Sequence, residues 1–233
     1  LASFLDNQGM LISNEIIRSR AYILAETLTK WGYSNTFVSN NAPSDFEKLH
    51  SYFDFILVDA PCSGEGMFRK DPNARLEWSL ESAAHCAERQ ADILESDCPS
   101  LKEDGYLLYS TCTFNPAENE ECIAAFLEEH DAEIVSIPYF DGLTQDIKEY
   151  GYHFIPGIAK SEGFYAVLLK KRSFSGQNKR KSGRMQTLSE SEIPLKIEAN
   201  FPHVYFKDEE NIYATTDFCI QHYDEISNVL QWM

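Results

Sequence analysis

The 233-residue chain contains no C-x-x-C pair: Cys62, Cys86, Cys98, Cys112, Cys122 and Cys219 are scattered singly. That spacing excludes the common structural zinc sites and makes a disulfide framework unexpected. No stretch approaches the roughly 18 uninterrupted apolar residues of a membrane span, and no basic-then-apolar leader opens the chain, so a soluble, cytoplasmic protein is expected. Basic residues are few, 20 Lys and Arg against 37 Asp and Glu, for a net charge of -17. Most of such a surface repels a phosphate backbone, which excludes indiscriminate nucleic-acid binding. The glycine-rich turn that ordinarily follows the first strand of a nucleotide-binding sheet is also absent.

What is present is 43% hydrophobic residues, enough for one α/β domain and a modest appendage. Strand-like runs at Met10 to Ser13, Thr36 to Ser39, Phe53 to Val58 and Gly105 to Ser110 alternate with helical spacing near Glu15 to Trp31 and Leu80 to Leu101. That order predicts a Rossmann-like core, a mostly parallel sheet with helices on both faces. Leu1 to Asn7 reads as the helix that follows a first strand and turn. Asn115 with Glu118 three residues on resembles a capping box opening a helix toward His130. Glu133 to Ile137 and Phe164 to Lys170 have no crossover helix between them and are expected as an antiparallel pair. The division expected is a core at 1–172, a basic linker at 173–185 and the start of a second module at 186–233. Lys170, Lys171, Arg172, Lys179, Arg180, Lys181 and Arg184 form the one basic cluster, read equally well as a phosphate-binding patch or a solvated linker.

Two predicted strand ends each deliver a cysteine: Asp59-Ala60-Pro61-Cys62-Ser63-Gly64 and Ser110-Thr111-Cys112-Thr113-Phe114. Loops beyond the carboxyl ends of neighbouring strands line the ligand crevice of an open α/β sheet, so both thiols are expected in one pocket. Two thiols beside a carboxylate suit carbon methylation of a pyrimidine. A thiolate adding to C6 makes C5 nucleophilic, a group near N3 stabilises the charge that develops, and a base later removes the C5 proton. The other four cysteines read as small buried residues.

Asp59 to Pro72 (DAPCSGEGMFRKDP) and Tyr109 to Glu120 (YSTCTFNPAENE) closely resemble the two signature motifs of the Nol/Nop/Sun, or Fmu-like, family of RNA 5-methylcytosine methyltransferases. The FRKDP continuation and Gly163 to Lys171 (GFYAVLLKK) look most like its bacterial ribosomal-RNA members of the RsmF type. The resemblance implies an enzyme using S-adenosyl-L-methionine on RNA, with ribosomal RNA or the small ribosomal subunit as partner. It implies Cys112 as the nucleophile, Cys62 as the thiol that assists product release, and Asp59 as the carboxylate orienting the target base. It places Glu15 at the cofactor ribose and Asn40 or Asn41 near the adenine, with Asp59 and Pro61 completing the cofactor set. Ser63 and Gly64 would lie against the flipped base, and Arg69 and Lys70 against substrate phosphates. The family's glycine-rich cofactor loop and an upstream lysine have no counterpart here, so the chain is expected to be a piece truncated at both ends, its tail beginning an RNA-binding accessory domain.

Overall fold

The structure is a computed structural model that describes residues 1–145, 149–174, 176, 187–193, 202–207 and 211–233. Its elements begin with α1 (Ala2–Leu5), β1 (Leu11–Asn14), α2 (Arg18–Trp31), β2 (Thr36–Ser39), α3 (Pro43–Phe46) and β3 (Phe53–Asp59). They continue with α4 (Pro72–Glu77), α5 (Leu80–Asp97), β4 (Leu101–Thr111), α6 (Glu120–Glu129), β5 (Ala132–Ile134), β6 (Leu143–Gln145), β7 (Tyr152–Phe154) and β8 (Phe164–Lys171). The last are β9 (Thr187–Leu188), β10 (Val204–Lys207), β11 (Ile212–Thr215) and α7 (Asp217–Ser227). The chain divides into two compact units, Leu1–Asp45 with Asn178–Met233, and Phe46–Gln177. That boundary differs from the one drawn from composition, because the first 45 residues group with the C-terminal segment. Of the expected linker at 173–185, residues 175 and 177–185 lie outside the described residues.

In the unit of Phe46–Gln177, β3 runs parallel to β4 with Asp59 opposite Ser110, and β8 lies antiparallel to β4, β5 and β7, with β6 beyond β7. The expected α/β class holds, as does the antiparallel pairing of β5 with β8. The sheet itself is mixed: among its described pairs only β3 with β4 is parallel. The strands after α6 follow one another without a crossover helix, a connection that only antiparallel neighbours accept. The β8 sequence buries Tyr165, Val167, Leu169 and Lys171 at every second position, as a pleated strand with one face inward must. Leu94, Leu107, Ile123 and Leu169 fill the core, each contributing about 1.5–3 kcal/mol by burial. Lys171 ends the buried stripe, and its ammonium donates to the carbonyls of Cys98 at 2.6 Å and Leu101 at 2.9 Å.

In the other unit, β1 and β2 form a parallel pair, with Asn14 opposite Ser39. The chain's last residues run beside β2: the Asn40 amide donates to the Gln231 carbonyl at 3.0 Å and the Met233 amide to the Val38 carbonyl at 3.0 Å. The Trp232 ring packs 5.6 Å from Phe37 and 5.7 Å from Tyr223. β9, β10 and β11 form a small antiparallel sheet, and α7 buries Cys219 and Ile226 completely.

Candidate functional site: two cysteine loops

Because β3 and β4 are parallel and in register at Asp59 and Ser110, their carboxyl ends release the chain side by side. Cys62 and Cys112, 50 residues apart in sequence, meet with their Sγ atoms 3.0 Å apart. The Cys112 amide also donates to Cys62 Sγ at 3.3 Å. Two sulfurs this close cannot both hold a negative charge, so when one ionises the other keeps its proton. Acceptance of the Cys62 S–H pulls the Cys112 thiol down to about 7 against the opposing effect of burial. The same hydrogen bond, with burial adding to it, pushes Cys62 far above the ordinary thiol range. The pair thus offers a nucleophile at neutral pH and, beside it, a protonated thiol.

Each cysteine sits between two anchored neighbours. On the Cys62 side, the buried Gln90 of α5 donates its Nε2 to the Pro61 carbonyl at 2.7 Å, and the Ser63 amide donates to Glu118 Oε2 at 2.8 Å. Gln90 Nε2 also reaches Glu118 Oε2 at 3.0 Å, and the Ser63 hydroxyl donates to Glu118 Oε1. On the Cys112 side, Asn119 accepts the Thr111 hydroxyl at 2.7 Å and donates to the Thr113 carbonyl at 3.1 Å. The loops are tied to each other as well, with the Gly66 amide on the Cys112 carbonyl at 2.9 Å and the Phe114 amide on Glu65 Oε2 at 3.2 Å. Gly66 and Gly163 touch backbone to backbone, and a Cβ on Gly163 would also enter the Phe114 ring.

Glu118 is therefore not the capping-box partner its spacing suggested. The helix α6 starts at Glu120, and Asn115 Oδ1 accepts the Ala117 amide at 3.0 Å instead. Glu118, Asn119 and Gln90 went unrecognised as site residues. The signal available was the run of polar side chains, Asn-Pro-Ala-Glu-Asn-Glu, directly after the Thr-Cys turn.

Asp59 is exposed at the end of β3, and its charge opposes ionisation of Cys112. Gly64 holds a left-handed φ of 75°, which lets the chain turn sharply after Ser63. Arg69 and Lys70 lie exposed, but Arg69 is held by Glu162, at 3.2 Å through Nε and 2.6 Å through Nη2. Within the basic cluster, Lys170 and Arg172 both pair with Asp104, at 2.8 and 2.9 Å, and Lys171 is buried. Lys179, Arg180, Lys181 and Arg184 lie outside the described residues.

Glu15, Asn40 and Asn41 come together in the other unit, at the carboxyl ends of β1 and β2. Asn40 Nδ2 donates to the carbonyls of Glu15 at 2.7 Å and Ile16 at 3.0 Å, closing a compact turn. The Glu15 carboxylate accepts the Ile17 amide at 2.9 Å and pairs with Arg20 at 3.1 Å. Asn41 is buried, donating to Asp45 at 3.0 Å and accepting the Gln231 amide at 2.8 Å. Ile16 and Ile17, beside Glu15, are 60% and 48% exposed, an apolar surface that sequence reasoning did not single out.

Comparison with known proteins bears on what these loops do. The profile of the 16S rRNA methyltransferase RsmB/F family matches residues 1–170. The chain belongs to that family. Relatives of this RsmB/F chain include the ribosomal RNA small subunit methyltransferase F of Aeromonas salmonicida, 36% identical over 214 residues, which cover 86% of this chain and 45% of that protein. The methyltransferase F of Pectobacterium carotovorum is 38% identical, the match covering 73% of this chain and 36% of that protein. The RsmB/F chain thus spans less than half the length of these relatives. Among solved structures, NSun6 from Pyrococcus horikoshii, crystallised with SFG, matches with a TM-score of 0.67 at 25% identity over 74% of this chain and 44% of that one. A methyltransferase homologue from the same organism gives a TM-score of 0.63 at 24% identity, covering 73% of this chain and 56% of that one, and supports the same methyltransferase fold. Among the described residues, no helix is long and apolar enough to cross a membrane and no cluster of three or more His, Cys, Asp or Glu side chains could hold a metal ion.

Proposed function

We propose that this chain carries the reacting cysteines of an enzyme that methylates C5 of cytosine in RNA, in the small-subunit ribosomal RNA, through a covalent bond from Cys112 to C6. The observation that carries the reading is the 3.0 Å approach of Cys62 to Cys112 in a chain of the RsmB/F family. The Cys112 thiolate adds to C6, and the displaced electron pair makes C5 nucleophilic. Asp59, at the exposed end of β3, contacts the target base and orients it. S-adenosylmethionine supplies the methyl group on a sulfonium. Cys62, having given its own proton to water, then takes the C5 proton as thiolate, which returns the electron pair to the C5–C6 bond and expels Cys112 as thiolate.

The residues present fit that cofactor. Glu15 and Asn40 stand where parallel strands end, the place such sheets bind nucleotides, and Ile16 and Ile17 offer an apolar bed beside an acid suited to ribose hydroxyls. SFG, bound in the NSun6 structure, is an analogue of S-adenosylmethionine. Asn41, Asp59 and Pro61 complete the assigned cofactor set. Ser63 and Gly64 face the target base, whose extrusion costs a few kcal/mol, and Arg69 and Lys70 meet phosphates. The catalytic part is assigned to 1–172 and an RNA-binding accessory part to 186–233, working in the cytoplasm.

The test is trapping. Incubated with S-adenosylmethionine and 16S ribosomal RNA, full-length protein bearing Cys62→Ala accumulates a protein–RNA adduct that survives denaturation, and Cys112→Ala forms none. The reverse pattern exchanges the two roles. No adduct in either, with no methylation by the unsubstituted protein, leaves a catalytically silent RNA-binding protein.

A further inference from the structure

Glu118 and Asn119 are adjacent in sequence and both wholly buried, yet their side chains serve different cysteines. Glu118 takes the Ser63 amide and hydroxyl and the Gln90 amide nitrogen, which also holds the Pro61 carbonyl, so the peptides on both sides of Cys62 are fixed. Asn119 takes the Thr111 hydroxyl and the Thr113 carbonyl, fixing both sides of Cys112. The Glu118 carbonyl receives the buried Tyr109 hydroxyl at 2.7 Å, which ties this dipeptide to β4, the strand that leads into Cys112.

A carboxylate in a protein interior is costly, and an apolar side chain of similar size would stabilise the core at least as well. What a carboxylate adds is direction, because it accepts several hydrogen bonds at fixed angles. Here the Glu118 carboxylate takes its hydrogen bonds from Ser63 and Gln90, the groups that hold the Cys62 turn.

We propose that Glu118 and Asn119 are positioning residues with divided roles: Glu118 sets the Cys62 turn for product release, and Asn119 sets the Cys112 turn for attack. The inference rests on the covalent reading above and goes beyond it in assigning each step its own support. A displacement of the order of 1 Å in a reacting group is enough to slow its step about a hundredfold.

The experiment compares Glu118→Gln and Asn119→Leu with Cys62→Ala in the full-length protein, using 16S ribosomal RNA and S-adenosylmethionine. Glu118→Gln keeps the size but turns an acceptor into a donor opposite the Gln90 donor. It is expected to lower turnover by about tenfold or more, change KM for RNA by less than about twofold, and accumulate the denaturation-resistant adduct as Cys62→Ala does. Asn119→Leu is expected to lose adduct and methylation together, and Glu118→Asp to restore part of the turnover. If both variants lose the adduct alike while Cys62→Ala retains it, the division of roles is overturned. Failure of both Cys62→Ala and Cys112→Ala to trap RNA, with no methylation by the unsubstituted protein, defeats the covalent reading instead.

Positioning is then read without RNA, by closing Cys62 and Cys112 to a disulfide with azodicarboxamide. The Cys112 thiolate and the Cys62 S–H give up two electrons and one proton to form S–S, and the N=N bond takes those electrons, that proton and one more from water to become a hydrazine. Closure slowed about tenfold in Glu118→Gln supports the inference, and unchanged closure overturns it. If Glu118→Gln does not fold, Gln90→Met, which removes the Pro61 anchor, is measured in its place with the same two outcomes.

Discussion

The loops after β3 and β4 and the loops after β1 and β2 both leave the carboxyl ends of a parallel strand pair, but they use their polar side chains in opposite ways. In the cysteine loops, the carboxylates of Glu65 and Glu118 grip the backbone of the facing loop, and the two thiols are left to each other. In the β1 and β2 loops, neutral amides tie one loop to the other, through Asn14, Asn40 and Asn41, and the acid of the turn, Glu15, stays within its own loop, accepting the Ile17 amide and pairing with an Arg20 that is 66% exposed. An ion pair to so exposed a guanidinium contributes about 0–1 kcal/mol and yields readily to a ligand. The first region is held rigidly by hydrogen bonds between its loops. The second keeps its charged group exchangeable.

The largest effect that would sharpen this contrast is steric. Gly66→Ala pushes a methyl into the Gly163 backbone and is expected to destabilise the protein by about 3 kcal/mol, whereas Gly32→Ala, with open space around a φ of 74° at the end of α2, costs about 1–2 kcal/mol. Equal urea midpoints for the two would mean that the cysteine loops tolerate movement.

Next in size is the acidity of Cys112. Thiolate is the form that alkylates, so the rate of Cys112 modification by iodoacetamide rises with pH, with a midpoint at about 7. Removing the S–H donor in Cys62→Ala moves that midpoint up toward the ordinary thiol value of about 8.5. A midpoint that stays in place would show that the two sulfurs do not share a proton.

In the other region, Glu15→Gln is expected to weaken S-adenosylmethionine binding about tenfold by calorimetry, with Arg20→Ala leaving it within about twofold. A large loss in Arg20→Ala would mean that the turn is as tightly set as the cysteine loops. The smallest effect concerns Arg69. Glu162→Gln frees its guanidinium for a phosphate, so RNA affinity should rise about twofold and the salt dependence steepen by about one phosphate contact. An unchanged salt slope would remove Arg69 from the RNA-binding set.

Much of the cysteine region was legible because its signals are local. The run Phe53 to Val58 is apolar and β-rich, the turn after it carries Asp-Ala-Pro-Cys, and the rule that ligands gather at strand ends joins Cys62 to Cys112 across 50 residues. Glu118 was misread because Asn-x-x-Glu satisfies a local capping pattern, while its hydrogen bonds go to Ser63, 55 positions away. Local spacing cannot reveal a partner that the sheet register supplies. The β6–β7 hairpin and the run of Gln231 to Met233 beside β2 were illegible for a related reason. Strands of three residues and a single bridge at Trp232 are too short for periodicity to register, and their stability comes from neighbours brought in by the rest of the chain. The mixed character of the sheet was only half visible, with β5 and β8 anticipated and β7 overlooked.

The hydrogen bond between Cys62 and Cys112 would also order the proposed reaction in time. With Cys62 as donor, Cys112 is the more readily ionised sulfur, and Cys62 is kept from ionising by the hydrogen bond it gives. In that reaction, bonding Cys112 to carbon would remove the acceptor and its charge together, so Cys62 would become free to ionise only after attack. The pair would then act as an interlock, the group needed last staying disarmed until the first step has been taken.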